Sequence, residues 1–180
     1  MRFYGSPQDR AFEQLSASLA SDRERLRRGF RAFAQLDVLS DPGSAAIAVE
    51  TLCADTARQI QLERELLCPA ARAAPQASLL VEEAQVRLDG MTATLDRLDR
   101  LSGNDADFVT PVNRLGKLVE RHVHAEQHDL LPVLERHPLD WTQLLAQWLQ
   151  RRAELIGRDT PGQAPEAIQR VDDGGSAQLR

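Results

Sequence analysis

The feature that most constrains this chain is a helical repeat of apolar residues that is broken at three places. The breaks fall at residues 40–44, 74–76 and 102–105, and each contains Pro or Gly. Between them Leu, Ala, Arg, Glu and Gln dominate, which favour helices over strands. Short connections between long helices imply antiparallel neighbours. The sequence therefore predicts an all-α protein, an antiparallel up-and-down four-helix bundle with an additional C-terminal helix.

The repeat also divides the chain into segments. We expect an N-terminal arm at 1–8, the bundle at 9–136, an amphipathic helix at 137–157 and a disordered tail at 158–180. The tail is predicted from its Pro and Gly and its few apolar residues. Within the bundle the predicted helices run from about 9 to 39, 44 to 68, 75 to 101 and 108 to 135.

The predicted C-terminal helix has one strongly apolar side. Asp140 with Gln143 three residues later is a helix-capping pattern, and Trp141, Leu144 and Trp148 recur at helical spacing. This side either covers its own bundle, which we favour, or pairs with a protein partner or a second copy through residues 140–156. The sequence leaves both open.

Charge and hydropathy indicate which classes of partner and which cellular location to expect. A net charge of -5 and a pI near 5.4 give no general attraction for nucleic acid or for anionic lipid. We find no apolar run of the length that a signal peptide or a membrane span needs. We therefore expect a cytoplasmic protein that binds neither nucleic acid nor membrane. Cys53 and Cys68 lie about 22 Å apart along one predicted helix and should be reduced thiols.

Two helices end with matching polar motifs. Gln59 and Glu63 are four residues apart, as are His122 and Glu126, and a Pro follows each Glu by six residues. Residues four apart lie on one face of a helix, about 5–6 Å apart at Cβ. An imidazole and carboxylates at this spacing can converge on a cation, so Glu63, His122 and Glu126 are candidate metal ligands.

This arrangement resembles the hemerythrin-like family of HHE cation-binding domains, over about residues 15–136. The resemblance implies a bundle that holds a non-haem di-iron centre. Its ligands would be a His from the first helix, His-x-x-x-Glu from the second and fourth, and a His from the third. Glu63, His122 and Glu126 match that set. The family's other histidines fall on residues of a different type: Arg23, Gln59 and Leu88.

These replacements disfavour a di-iron centre. Neither Arg nor Leu ligates metals, and Gln offers only a weak carbonyl oxygen. Arg23 is in phase with Leu19 and Leu26, so a solvated side chain is not expected there. We hypothesise that its guanidinium stands where a metal would stand and pairs with the carboxylates, while Gln59 and His122 complete the hydrogen bonds.

Three other interpretations stay open. A mononuclear metal site could form on the candidate ligands, the polar residues could flank a wet end of the bundle with Arg23 reaching solvent, or a di-iron centre could persist. The expected function is a metal-free regulatory or interaction module with no cofactor. The alternative is a non-haem iron or other metal-binding domain for oxygen or nitric oxide sensing or iron handling. We find no nucleophile with a partnered base and no phosphate loop, so no enzymatic activity is expected.

Overall fold

The computed structural model describes residues 5–101 and 106–158, which form helices and turns without a strand. The prediction of an all-α fold is confirmed. The helices are α1 (Pro7–Phe33), α2 (Pro42–Leu62), α3 (Cys68–Arg72), α4 (Ser78–Asp99), α5 (Val109–Ala125), α6 (Leu131–Glu135) and α7 (Trp141–Arg158). The predicted tail, apart from residue 158, lies outside the described residues, as does half of the predicted N-terminal arm, residues 1–4.

The first helix is shifted from its predicted bounds of 9–39. It begins earlier because Ser6 and Asp9 form a reciprocal cap around Pro7, whose missing N–H costs nothing in the first turn. It ends at Phe33. Further along, the Asp37 carboxylate accepts hydrogen bonds from the backbone N–H groups of residues 39 and 40, each at 3.2 Å. This local turn competes with the helix, which is why the predicted end was wrong.

A π-helical segment follows each of the two polar motifs. Glu63–Leu67 joins α2 to α3, and Glu126–Leu130 joins α5 to α6. The N–H that closes each segment donates five residues back, to the carbonyl of Glu63 or Glu126. The next residue in each case is a Pro, which lacks an N–H, and the wider turn lets the helix continue past it. The predicted end of the second helix at residue 68 was therefore wrong.

The longer helices α1, α2, α4 and α5 pack against one another around much of the apolar core. Both α1 and α4 pack against α2 and against α5. Close approach of α1 depends on two glycines. A Cβ on Gly29 would lie 2.8 Å from the Leu52 side chain of α2, and a Cβ on Gly116 of α5 would lie 3.1 Å from the Phe30 ring. Fully buried side chains line the interior, among them Leu15, Leu19, Leu62, Leu88, Met91 and Leu115.

The last helix covers its own chain. It packs on α1 and α2, with Trp148 fully buried and the Trp141 ring 4.8 Å from the Phe12 ring between centroids. The Asp140 carboxylate accepts from the Gln143 N–H at 3.0 Å, which confirms the predicted cap. None of the described helices has both the length and the apolar character that spanning a membrane requires.

Both cysteines are free thiols in α2 and α3. Burial raises the pKa of Cys53 and that of Cys68 to about 11. Cys68 is packed in the core, so its thiol is held in the protonated, unreactive form.

Candidate functional site

Five polar side chains meet inside the core at the level of the π segments. They are Arg23 from α1, Gln59 from α2, His122 from α5, and Glu63 and Glu126, which open the two π segments. None is more than 6% exposed. The structure thus brings together the three candidate metal ligands and the two residues of the alternative ion-pair core.

Glu63 is held by neighbours on both sides. The Gln59 side-chain amide donates to Glu63 Oε1 at 2.6 Å. His122 Nε2 lies 2.5 Å from Glu63 Oε2, which is a short hydrogen bond between α5 and the first π segment. Each carboxylate oxygen of Glu63 therefore has a donor.

Glu126 is held by a charge instead. An Nη atom of Arg23 contacts Glu126 Oε2 in a fully buried ion pair. His122 Nε2 is 3.9 Å from the same oxygen, so the imidazole lies between the two carboxylates. The guanidinium of Arg23 therefore pairs with Glu126, and the imidazole of His122 is hydrogen-bonded to Glu63.

The hydrogen bonding of this cluster is incomplete. Among the described residues, Arg23 Nε and His122 Nδ1 have no hydrogen-bond partner although both are buried. Both nitrogens can therefore take part in further polar contacts.

The pKa values of the two acids move in opposite directions, although burial acts to raise both. Burial would raise the pKa of Glu63, but the charge and hydrogen bond of His122, with help from Gln59 and Arg23, hold it below its ordinary value. Burial and the charge of Glu63 raise the pKa of Glu126 to about 7 against the opposing charge of Arg23. Burial would lower the pKa of His122, yet the two carboxylates raise it.

The cluster can neutralise its own charge. Arg23 and a protonated His122 offset the two carboxylates, so no bound cation is required for balance. Glu63, His122 and Glu126 do present ligand atoms within 4.8 Å of one another, a spacing that suits one ion. A divalent ion there would face the guanidinium on Glu126, with repulsion on the order of several kcal/mol at an effective dielectric near 20.

The residues do not fit a di-iron centre. In addition to the Arg23 contact, the amide of Gln59 is already committed to Glu63, and Leu88, where the resemblance implies a third-helix His, offers no ligand atom. Within the part of the chain that the structure describes, three ligating side chains converge here, which is too few for two irons. Metal binding by Glu63, His122 and Glu126 stays a prediction.

A second set of ion pairs, which the sequence analysis missed, holds α7 next to this cluster. The Asp22 carboxylate is buried and accepts from Arg152 Nε at 3.0 Å and from an Arg152 Nη at 2.7 Å. Arg25 approaches Asp22 at 3.2 Å. A sequence clue existed, because Arg152 falls on the same face of α7 as Trp148 and Leu155.

The other anchor of α7 uses the π segment. Arg151 makes a two-pronged contact with the Glu65 carboxylate, at 2.6 and 3.0 Å. Each residue that anchors α7 is close in sequence to a residue of the buried cluster. Glu65 lies two residues after Glu63, and Asp22 lies one residue before Arg23. The last helix is therefore anchored on two of the chain segments that supply the buried cluster.

Comparisons with models of known protein families, with curated proteins and with solved structures find no match to this chain.

Proposed function

We propose that this protein is a hemerythrin-like domain in which an arginine-centred ion-pair cluster has replaced the di-iron centre. In this proposal α1, α2, α4 and α5 are the four antiparallel helices of the bundle, and α7 is an additional helix that covers one side. The domain acts as a metal-free regulatory or interaction module, and no catalytic role is proposed. The motif resemblance and the closed set of contacts among the four helices support this assignment.

The observation that carries the proposal is the contact between Arg23 and Glu126. A buried carboxylate needs a positive partner or a proton, and here a guanidinium supplies the charge that a metal would otherwise supply. Gln59 and His122 satisfy the second carboxylate, Glu63. A core organised in this way is fixed in shape without a redox-active centre, which suits recognition rather than chemistry.

A metal-binding function for sensing or iron handling is the second candidate. It is favoured by one observation, the convergence of Glu63, His122 and Glu126 on a space that suits one ion. To bind there, a divalent ion must displace Arg23 from Glu126. The metal-free function therefore requires Arg23 to stay on Glu126, whereas metal binding requires it to leave.

Thermal unfolding with added Mn²⁺, Fe²⁺ or Zn²⁺ separates them. We expect no rise in Tm for the unmodified protein, because Arg23 occupies the charge position. Arg23→His removes the fixed charge and adds a ligand, so its Tm should rise with metal concentration, as for any ligand that binds only the folded state. Arg23→His with Glu126→Gln is the control and should lose that rise. A metal-dependent rise in the unmodified protein that Glu126→Gln abolishes would establish the second candidate instead.

A further inference from the structure

A long apolar groove lies between α2 and α4, away from the buried cluster. Its volume is about 860 Å³. The floor is formed by apolar side chains of both helices and by Phe108, and it includes Val49, Cys53, Ile60, Leu95 and Leu98. Small residues on α2, Ala54 and Ala57, leave the space open. A surface of this kind marks a binding site for an apolar partner.

The length of the groove favours a helix over a small molecule. It extends along α2 and the start of the π segment that follows, from Ala46 to Glu65, which is about 28 Å at 1.5 Å per residue. An amphipathic helix of about five turns spans that distance and lays one apolar stripe along the floor.

The free charges at the rim are all negative. Glu50 on α2 and Asp96 and Asp99 on α4 line the groove. They are exposed and have no ion-pair partner within residues 5–101 and 106–158. The lining also includes one basic residue, Arg64, but it is already paired with Asp89 at 2.5 Å. The groove therefore complements a helix that carries Arg or Lys beside its apolar stripe.

The protein already packs a helix of this type on the neighbouring surface. α7 buries Trp141, Leu144 and Trp148 and places Arg151 on the carboxylate of Glu65. Glu65 also borders the α2–α4 groove, so the two surfaces share an edge. The groove repeats the apolar floor and acidic rim that α7 uses, and no helix of the described residues fills it.

We propose that the α2–α4 groove binds an amphipathic helix of a partner protein, in which Arg or Lys residues flank the apolar stripe. This names the partner class for the interaction role proposed above and rests on that role, although it does not depend on whether the core is metal-free. A second copy of this chain is disfavoured, because its net charge of -5 would bring like charges to the rim. Anionic lipid is disfavoured for the same reason.

The test uses two fluorescently labelled helical peptides of about 19 residues, the length that spans 28 Å. Both have the same Leu stripe, and one has Arg where the other has Glu. Fluorescence anisotropy with the full chain should show binding of the Arg peptide that weakens with salt, and little binding of the Glu peptide. Ala57→Trp, which fills the groove, and Asp96→Lys, which reverses a rim charge, should each weaken binding by about tenfold or more.

Glu120→Lys on the exposed side of α5 makes the same charge change away from the groove and should alter binding less than about twofold. Circular dichroism checks that every variant is folded. The proposal is overturned if neither peptide binds or if both bind equally. It is also overturned if Glu120→Lys loses as much binding as Asp96→Lys. A dimer that Ala57→Trp converts to a monomer overturns it as well, because the occupant is then a second copy. None of these results changes the metal-dependent Tm test, so failure of the groove and failure of the proposed core are distinguishable.

Discussion

Two adjacent residues of α1, Asp22 and Arg23, enter ion pairs of different kinds. Arg23 points into the core and contacts Glu126, with both side chains at most 3% exposed. Asp22 points to α7 and holds Arg152, whose side chain is 27% exposed. Water can reach and replace the second pair in part but not the first. The core pair therefore fixes the interior, whereas the pairs to α7 position a helix on the surface.

The comparison predicts its largest effect at Arg23. Replacing it with Leu leaves Glu126 buried beside Glu63 with no fixed positive charge, and we expect a loss of about 3–5 kcal/mol in the free energy of unfolding. Urea denaturation at neutral pH measures this loss. Adding Glu126→Gln removes the uncompensated charge and should restore at least half of it. A loss below about 1 kcal/mol would contradict this expectation, because it is what a solvent-exposed ion pair contributes.

Glu126 in the core and Glu65 at the surface should respond to pH in opposite directions. The pKa of Glu126 is raised from 4.5 to about 7, so its bound proton stabilises the folded state at low pH, and this stabilisation is lost as pH rises between those values. The raised pKa of His122 adds a loss in the same direction above pH 6.5. Hydrogen bonds from Arg151 lower the pKa of Glu65, whose contribution is instead lost as pH falls below about 4.5.

We therefore expect the free energy of unfolding to fall by on the order of 1–3 kcal/mol from about pH 5 to about pH 8 because of the core cluster. Glu126→Gln should flatten this part of the profile, whereas Glu65→Gln should leave it unchanged. Denaturation midpoints across the pH series measure both variants. A profile that is as steep in Glu126→Gln as in the unmodified protein contradicts the assignment of the titration to Glu126.

The smallest effects are expected within α7, where neighbouring arginines provide a matched pair. Arg152→Ala leaves the buried Asp22 with only Arg25, so we expect a loss of about 1–2 kcal/mol after solvent screening is allowed for. Arg151→Ala removes an exposed pair with Glu65 and should be indistinguishable from the unmodified protein. Urea denaturation measures the free energy of unfolding of both variants. Equal losses would contradict the expectation that the Arg152 pair stabilises the protein more than the Arg151 pair.

Sequence reasoning identified the core cluster because helical phase is a strong constraint. Arg23 is in register with Leu19 and Leu26, and the His122 and Glu126 spacing places both side chains on one helix face. That was sufficient to name all five clustered residues, although not to show which donor serves which acid. Which donor pairs with which acid depends on how α1 and α5 approach each other, and the periodicity within one helix does not predict that.

The bounds of the helices and the anchors of α7 were harder to predict. Pro69 reads as a helix end, since an α-helix has no room for it, and only the π segment before it lets the helix continue. Asp22 reads as a solvated residue because its partner, Arg152, is distant in the sequence. The contact between Asp22 and Arg152 arises from packing between elements, which local propensity does not report.

We propose that Arg23 and His122 balance the buried charges of Glu63 and Glu126 without a metal. The most direct test is elemental analysis of iron, manganese and zinc in protein purified without an affinity tag after expression in iron-supplemented medium. We expect no metal in stoichiometric amount. About one metal per chain would contradict this proposal in favour of a mononuclear site on Glu63, His122 and Glu126, and about two irons would restore the di-iron centre.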